Sequence, residues 1–348
     1  MSKQKASNIA GILILLIFGI NRGFSQETGQ DELRMMFYNV ENLFDIYNDP
    51  DTEDDEFLPD GVMRWNSSRY YKKINSLYKT IISAGEWVPP QVISMCEIEN
   101  RKVLEDLVFE TYLSKFNYRI IHEDSPDRRG IDVCLIYRKD FIEILNYRYL
   151  VPAGIFNETF SSRSVLYARM AVGNDTIHLF VNHWPSRRGG VLAGEDLRMR
   201  MASMVKEKSD SISLESGGSA KIVIMGDFNC TSDDLEVNTM IAREENDVFL
   251  INLSDSIAQS GKGTYRYMGT WEMIDQIIVS KGLFRSKYGF YSDYNMLTIF
   301  SPDFLLRKDP KYPGLSPFST YLGYRYQGGY SDHLPVLIDL KFRKKNLP

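Results

Sequence analysis

The chain has 348 residues, of which 43% are hydrophobic and 25% are charged, and its formal net charge is −5. These values are typical of a globular protein with a substantial buried core, and they exclude a disordered, collagenous or disulfide-stapled chain. A net negative charge gives no general attraction to polyanions, so any affinity for phosphate must come from a local basic site or from bound cations.

The first 25 residues have the layout of a secretory signal peptide. Two lysines give a basic start, an apolar run follows over 9–20, and small residues precede a predicted cleavage site before Gln26. The apolar run is shorter than the roughly 20 residues that a membrane span needs. We therefore expect export to the periplasm or the medium, no stable membrane insertion after cleavage, and one mature domain over 26–348. Loss of the three basic residues in the leader would take the formal net charge from −5 to −8.

Predicted strands and helices are distributed along the whole mature chain. Strands with alternating or fully apolar patterns are predicted over 33–40, 91–97, 117–122, 132–138, 142–151, 164–172, 176–183, 221–225, 273–279 and 334–342. Apolar stripes at helical spacing predict helices over 66–81, 101–116 and 193–211, and Asn66 or Ser67 can cap the first of them. No internal repeat or linker-like composition follows the leader, which indicates a single α/β or α+β domain with large sheets.

The three cysteines, Cys96, Cys134 and Cys230, lie in or beside apolar strand-like segments. Export permits disulfides, but an odd number leaves at least one thiol unpaired. A Cys96–Cys134 bridge stays open, although burial as small hydrophobic side chains fits the pattern better. Their spacing does not indicate a zinc site.

Acidic, amide and histidine side chains recur where the predicted apolar strands begin or end. These residues are Asn39, Glu41, Glu97, Asn182, His183, Asp227, Asn229, Asp275, Asp332 and His333. A carboxylate in or beside an apolar strand is costly unless it is paired or binds a metal. One such place is usually a capped turn, but their repetition predicts a convergent polar site at one edge of the sheets. Oxygen donors without cysteine favour Mg²⁺, with Mn²⁺ or Ca²⁺ as alternatives.

These residues lie in six short motifs that resemble those of the endonuclease/exonuclease/phosphatase superfamily, in the same order. The motifs are Phe37-Tyr38-Asn39-Val40-Glu41-Asn42, Met95-Cys96-Glu97, Val181-Asn182-His183, Met225-Gly226-Asp227-Phe228-Asn229, Ile274-Asp275 and Ser331-Asp332-His333-Leu334-Pro335-Val336. Each motif is weak alone, but together they cover 35–340. The resemblance implies a pancreatic-deoxyribonuclease-like fold, a four-layered α/β sandwich with two packed mixed sheets flanked by helices, and metal-dependent phosphoesterase activity.

The resemblance also implies the catalytic roles. His333 would accept a proton from the attacking water, and Asp275 would hydrogen-bond its far nitrogen and so fix its tautomer. Asn229 and His183 would contact the phosphoryl oxygens. Asp227 would position the nucleophile or assist protonation of the leaving group.

The metal ligands follow from the same resemblance. Glu97 would ligate the cation, helped by Asn39 or Glu41, and Asp332 would contribute a further carboxylate. Glu99 lies close to Glu97 in sequence, and both a second ligand and a solvated turn residue are open interpretations for it.

Other polar features fall outside the motifs. His122 and His178 lie in strand-like segments and are interpreted as structural or surface residues. The acidic stretch 49–56 lacks the glycine and the final glutamate of an EF-hand loop, so a solvated loop is the favoured interpretation over a calcium site.

Basic residues near the motifs are candidates for binding substrate phosphate. Arg129, Arg187 and Arg188 lie in loops beside predicted site strands, and arginine is suited to bidentate phosphate contacts. Asn182 joins them as a phosphate-binding candidate, whereas ordinary surface arginines are the alternative for each pair taken alone. The run from His183 to Gly190 also resembles a hallmark of an exported bacterial branch of the superfamily.

The leading functional hypothesis is an exported hydrolase of phosphodiester bonds, with DNA or RNA as substrate. A hydrolase of small phosphoesters, such as inositol phosphates or phospholipid head groups, is the alternative, and the acidic charge favours it. A non-catalytic binding protein is disfavoured because every expected catalytic position is filled. The tyrosine-rich segment 301–330 either contacts substrate or packs on itself. No protein partner is predicted.

Overall fold

The computed structural model of the protein describes residues 31–86, 88–152, 162–187, 192, 194–242 and 249–344. The predicted signal peptide over 1–25 and the candidate Arg188 lie outside these ranges, so both stay predictions. Among the helices of the described ranges, none is long and apolar enough to span a membrane.

The described residues form many short and medium strands and a few helices. The strands are β1 (Glu32–Leu43), β2 (Val92–Ile98), β3 (Tyr118–Ile121), β4 (Asp132–Arg138), β5 (Glu143–Leu150), β6 (Val165–Val172), β7 (Asp175–His183), β8 (Lys221–Asp227), β9 (Leu250–Asn252), β10 (Tyr265–Tyr267), β11 (Thr270–Glu272), β12 (Asp275–Ser280), β13 (Gly289–Tyr291), β14 (Leu297–Ile299), β15 (Leu306–Lys308), β16 (Leu315–Pro317), β17 (Tyr321–Leu322), β18 (Arg325–Tyr326) and β19 (Val336–Arg343). The helices are α1 (Ser67–Ala84), α2 (Arg101–Phe109), α3 (Glu195–Glu215), α4 (Leu235–Ile241) and α5 (Asp255–Gln259). Short 3-10 turns cover Asp55–Phe57, Tyr112–Phe116, Tyr294–Met296 and Asp303–Leu305.

The long strands form two mixed sheets. The first has the order β13-β19-β1-β2-β4-β3, with β14 also paired to β19, and the second has the order β5-β6-β7-β8-β12-β9. Each sheet contains one parallel pair, β1 with β2 and β7 with β8. The remaining neighbours are antiparallel. The parallel pairs place the carboxyl ends of neighbouring strands at a common edge.

Apolar side chains on both faces of the central strands produce four layers. Met35 and Phe37 of β1 pack in the cluster between the two sheets. Met36 and Tyr38 of the same strand point the other way and pack with residues of α1 and α2, as the two-residue period of a strand requires. The outer face of the second sheet packs on α3 and α4 in the same manner. The predicted α/β sandwich is confirmed.

The first predicted helix is present with its predicted cap, and the second is shorter than predicted. Asn66 caps α1, and its side-chain oxygen accepts a hydrogen bond from the Arg69 N–H at 3.2 Å. The helix predicted over 101–116 ends at Phe109. It ends there because Thr111 starts a separate 3-10 turn, in which its hydroxyl accepts a hydrogen bond from the Leu113 N–H at 3.2 Å.

The cysteines are buried free thiols, as the apolar pattern predicted. Cys96 and Cys134 lie on the neighbouring strands β2 and β4, but Cys134 is opposite Met95 in the register. The disulfide between Cys96 and Cys134, which the sequence allowed, is therefore not formed. Burial raises the pKa of Cys230 to about 12 and raises those of the other two thiols further. The thiols are therefore small core side chains.

A buried ion pair joins the two helices of the outer layer. Arg198 on α3 donates from Nε to Glu236 Oε1 on α4 at 2.8 Å, and the two side chains are 1% and 7% exposed. Arg198 also donates to the Pro185 carbonyl at 3.4 Å. The pair thus ties the helical layer to the segment that follows β7.

Removal of one partner of this pair should be strongly destabilising. Glu236→Ala is expected to lower the free energy of unfolding by about 3–5 kcal/mol, because it removes the carboxylate that contacts the buried guanidinium of Arg198. Asp196→Ala is the matched control, since Asp196 pairs with Arg200 on the same helix but is 79% exposed. Urea unfolding measures both variants, and equal midpoints would contradict the assignment.

Candidate active site

The polar ends of the central strands meet at one edge of the sandwich. Asn39 of β1 donates from Nδ2 to Glu97 Oε1 of β2 at 3.3 Å and to Asp227 Oδ2 of β8 at 2.9 Å. His183, at the end of β7, places Nε2 3.8 Å from Asp227 Oδ2 and 3.9 Å from Glu97 Oε1. The first pair of strands belongs to one sheet and the second pair to the other, so the cluster joins both sheets. The structure therefore brings together four residues that the sequence selected from separate motifs.

The backbone around Glu97 is irregular in a way that aims its carboxylate. Glu97, Asn42 and Asn229 have positive φ values of 64°, 54° and 51°, a region that residues other than glycine rarely adopt. The register shifts between Asn39 and Leu43 on β1 and between Cys96 and Ile98 on β2. The resulting turn lets the Asn42 N–H donate to Glu97 Oε2 at 2.8 Å. Strain of this kind is often found at functional sites.

A histidine–aspartate pair completes the cluster. His333 Nδ1 lies 2.7 Å from Asp275 Oδ2, and His333 Nε2 lies 3.9 Å from Asp227 Oδ2. Asp275 begins β12 directly opposite Asp227 in the antiparallel register. Because a carboxylate only accepts, the Nδ1–H donates to Asp275, and Nε2 is the atom that accepts a proton whenever the ring is neutral. The geometry predicted for a catalytic imidazole is present.

Two neighbours of this pair were missed from the sequence. The Thr264 hydroxyl donates to Asp275 Oδ2, the same oxygen that accepts from His333, and it accepts from the Asp275 N–H at 3.3 Å. The Tyr265 ring lies 4.9 Å from the His333 ring, and the two residues form an isolated β-bridge. Neither residue belongs to a motif or to a periodic segment, so no pattern in the sequence distinguishes them.

Burial and mutual charge set the protonation of the cluster. Burial, opposed by His333 and aided by the charge of Asp275, raises the pKa of Asp227 to about 7. Burial alone would lower the pKa of His333, but the charges and hydrogen bond of Asp275 and its neighbours hold that pKa well above its usual value. Burial, aided by two nearby arginines, lowers the pKa of His183. His183 is therefore a neutral imidazole that can donate a hydrogen bond.

The donor set fits a hard divalent cation. Glu97 is 17% exposed and so reachable from solvent. Burial raises the pKa of Asp332, and the charge of Glu97 raises it further despite the opposing charge of His333. Carboxylate donors suit Mg²⁺, Mn²⁺ or Ca²⁺, and a bound cation would offset the charge of Glu97 that acts on Asp332.

Two predicted metal ligands are directed elsewhere, which corrects their assignment. Glu41 accepts hydrogen bonds from the backbone N–H groups of Thr320 at 2.6 Å and Tyr321 at 2.9 Å, and burial raises its pKa to about 7. The Oδ1 of Asn39 accepts from the Glu41 N–H at 3.0 Å, so the amide nitrogen, and not the oxygen, faces the two carboxylates. Asn39 orients the carboxylates, and Glu41 anchors the 301–330 segment.

Asn182 does not face the site, which corrects its prediction as a phosphate ligand. Its side chain is fully buried, Oδ1 accepts from Trp184 Nε1 at 3.1 Å, and Nδ2 donates to the Met225 carbonyl at 3.3 Å. Successive residues of a strand point to opposite faces, so the placement of His183 toward the cluster turns Asn182 away from it.

Arg187 is engaged by the turn that follows β8. It donates to Asp234 through its guanidinium and to the Asn229 carbonyl at 2.7 Å. The Asn229 side chain in turn donates from Nδ2 to the Trp184 carbonyl at 2.9 Å, and its backbone N–H donates to Asp227 Oδ1 at 2.9 Å. Arg187 thus braces the motif that holds Asp227 and is not available as a free phosphate ligand in this arrangement.

Two other arginines act on the cluster electrostatically. Arg129 donates to the Asn42 side chain, and Arg163 pairs with Asp127 at 3.2 Å while only 7% exposed. Both lower the pKa of His183, Arg163 more than Arg129. Arg129 was predicted from the sequence, whereas Arg163 was missed. In the sequence, Arg163 is only a basic residue just before an apolar strand, and many ordinary surface arginines stand in the same position.

The tyrosine-rich segment 301–330 is packed on the helical face of the first sheet. Tyr321 packs on Trp65 with ring centroids 6.1 Å apart, and Tyr330 packs on Phe304 at 5.2 Å. Lys73 of α1, only 1% exposed, donates to the Tyr330 carbonyl at 2.6 Å. The packing interpretation of these aromatics therefore accounts for their contacts.

Glu99 is not a solvated turn residue, and its hydrogen bonds do not join it to the cluster around Glu97 and Asp227. It is buried and accepts hydrogen bonds from the Asp45 N–H at 2.6 Å and from Asn100 Nδ2 at 3.0 Å. Burial, opposed by the hydrogen bond and increased by nearby acidic residues, raises its pKa to about 8.

A two-sheet sandwich with carboxylates and a histidine–aspartate pair at one edge is the architecture of a class of metal-dependent phosphoester hydrolases. The sequence profile of the Endonuclease/Exonuclease/phosphatase family matches residues 34–342, and the chain belongs to that family. It is accordingly a phosphoester hydrolase of a family whose enzymes use divalent metals.

Solved structures share this fold at low sequence identity. A mannosyl-6-phosphatase from Bacteroides thetaiotaomicron has 15% identity and a TM-score of 0.55, with 89% of this chain and 100% of that chain covered. A family protein from Bacteroides vulgatus has 17% identity and a TM-score of 0.54, covering 90% and 99%. TDP2 from D. rerio, complexed with a single-strand DNA product, has 13% identity and a TM-score of 0.53, covering 89% and 99%. At these identities they show the fold alone. No curated protein sequence matched the chain.

The hydroxyl of Thr264 should matter for catalysis through Asp275. Thr264→Val is expected to lower kcat about 10- to 150-fold with little change in KM, because loss of one hydrogen bond to a charged group costs ~1.5–3 kcal/mol of orientation at the His333 pair. Thr264→Ser keeps the hydroxyl and should stay near wild type. Steady-state hydrolysis of a chromogenic phosphoester measures both, and a fully active valine variant would refute the role.

Proposed function

We propose that the edge cluster hydrolyses a phosphoester by attack of water, with His333 as the general base. The observation that carries this proposal is the His333–Asp275 pair, which leaves Nε2 directed toward Asp227. Asp275 would hold the imidazole in the accepting tautomer while Nε2 takes the proton.

The neighbouring side chains support the same chemistry. Asp227 lies 3.9 Å from His333 Nε2, a separation that one bridging water can span, so Asp227 would position the nucleophile. His183 is buried and neutral, and its ring would donate to a phosphoryl oxygen. Asn229 is held beside Asp227 by the turn described above and would reach the same oxygens.

Glu97 and Asp332 would hold the divalent cation, and Mg²⁺ is the first candidate because the donors are oxygens. When bound, the cation supplies neutralisation of the charge that develops on the phosphoryl group. Asn39 would keep Glu97 and Asp227 in place by donating to both.

Small phosphoesters are the substrate class that the charge distribution favours over nucleic acid. In the described part of the chain, Arg129, Arg163 and Arg187 are all engaged with protein acceptors near the site. A nucleic-acid-binding face commonly makes about 6–10 phosphate contacts with basic side chains, and the whole chain is net negative. The fold comparisons do not separate the classes, since a sugar phosphatase and a DNA-bound protein match about equally well.

A matched panel separates the two substrate classes. With Mg²⁺, the mature chain is expected to release phosphate from sugar and inositol phosphates roughly tenfold or more faster than it nicks plasmid DNA, because polymer binding needs more free cations than the site offers. Faster plasmid nicking would instead support the nuclease.

The proposed general base His333 and its partner Asp275 are tested in the same assay. Asp275→Asn is expected to lower kcat by on the order of 10²–10⁴, because the amide no longer fixes the accepting tautomer of His333. Asp196→Asn, on the exposed face of α3, is the matched control and should leave kcat unchanged. An active Asp275→Asn enzyme would remove His333 from the role of base.

Export is proposed on the pattern of residues 1–25. Mass spectrometry of the protein recovered outside the cytoplasm should find Gln26 as the new N-terminus. Recovery of the uncleaved chain in the cytoplasm would contradict export.

A further inference from the structure

A histidine and two aspartates meet at the base of the 122–132 loop, outside the catalytic cluster. His122 follows β3 and Asp132 begins β4, and the distance between His122 Nε2 and Asp132 Oδ2 is 3.3 Å. The His122 Nδ1 lies 3.9 Å from an oxygen of Asp124. One donor atom from each of the three residues lies within 4.8 Å of the others. The side chains of His122 and Asp132 are each 1% exposed, whereas that of Asp124 is 87% exposed.

The two buried members of this group lack the contacts that would explain their burial. His122 Nε2 and Asp132 Oδ2 both lack a hydrogen-bond partner, although they face each other. Their separation of 3.3 Å exceeds the ~2.7–2.9 Å of a charge-assisted hydrogen bond. The other oxygen of Asp132 is satisfied by the Ser125 N–H at 2.9 Å, which fixes the carboxylate in place. Buried polar atoms without partners are rare, and each needs an explanation.

We propose that His122, Asp132 and Asp124 form a second metal site, which takes a divalent transition metal such as Zn²⁺. Two ligands that each lie ~2.0–2.1 Å from a tetrahedral ion are about 3.3–3.4 Å apart. This separation matches that of His122 Nε2 and Asp132 Oδ2, so one ion satisfies both unpartnered atoms. Asp124 is exposed and can rotate to supply a third ligand, and water completes the shell.

The donor chemistry distinguishes this site from the catalytic one. An imidazole nitrogen with two carboxylates suits Zn²⁺ or Co²⁺, whereas the oxygen-only pair Glu97 and Asp332 suits Mg²⁺. Selective loading of the two sites is therefore possible.

The ion would hold the loop that carries Arg129. The loop runs from His122 to Asp132, so a metal bound to both ends closes its base. Arg129 lies inside the loop and donates to Asn42 beside the catalytic cluster. The proposed role of this metal site is structural. The proposal therefore does not depend on the substrate class.

Metal counting tests the proposal directly. The chain is stripped with a chelator and titrated with Zn²⁺ by calorimetry in excess Mg²⁺, which occupies the oxygen-only site. The wild type is expected to bind one equivalent of Zn²⁺, and Co²⁺ should give the visible absorption of a tetrahedral nitrogen–oxygen site. His122→Gln should abolish both signals. Asp124→Asn should weaken Zn²⁺ binding at least roughly tenfold, since even the loss of an outer-shell partner costs about that much.

Two control variants and the Asp124→Asn variant show whether Zn²⁺ binds at the proposed site. Glu123→Gln alters an exposed neighbouring carboxylate and should leave the equivalent intact. Glu97→Gln should also leave it intact, and loss of Zn²⁺ there would overturn the proposal by placing the ion in the catalytic cluster. Asp124→Asn changes an exposed residue and should fold even if His122→Gln does not. No Zn²⁺ bound by the wild type, or unchanged binding by Asp124→Asn, would equally overturn it and leave a metal-free histidine–aspartate ion pair.

Discussion

Carboxylates concentrated where two sheets meet are the constraint on which the rest of this structure depends. The Asn39 amide donates to Glu97 on its own sheet and to Asp227 on the other, and this bridge fixes the two acids a short distance apart. The burial of Asp227 and the nearby charge of Asp275 are opposed by His333, and a cation would offset them further. Burial is the main reason that the pKa of Asp227 is raised, and the hydrogen bond from Asn39 opposes that shift.

A surrounding shell of paired residues holds the cluster in place. Glu41 ties β1 to the backbone of the 301–330 segment, Arg187 braces the turn after β8, and Thr264 restrains Asp275. The same pairing engages the described arginines near the site, and this supports the proposed preference for small phosphoesters. A charge that already has a protein partner gains less from a phosphate, so the contacts of Arg187 reduce what it could gain by binding a substrate phosphate.

Much of the fold and of the arrangement of the candidate site could be predicted because both rest on local patterns. Strand periodicity located β1, β2, β7, β8, β12 and β19, and the motifs at their ends supplied His333, Asp275, Asp227 and Glu97. Contacts between distant residues could not be predicted in the same way. Glu41 meets Thr320 across 279 positions of sequence, and nothing local to Glu41 distinguishes an anchor from a metal ligand. The prediction of Asn182 as a phosphate ligand was wrong for a different reason. Side chains alternate along a strand, so the direction that points His183 into the site points Asn182 away from it.

The central claim is that His333 is the base of a metal-dependent phosphoesterase, and one variant tests it most directly. His333→Ala should lower metal-dependent phosphate release by on the order of 10²–10⁴, the contribution expected of a general base. Its fold, followed by circular dichroism, and its binding of Mg²⁺ should be retained, because Glu97 and Asp332 are unchanged. A folded, metal-binding His333→Ala protein that hydrolyses phosphoesters at the wild-type rate would contradict the account.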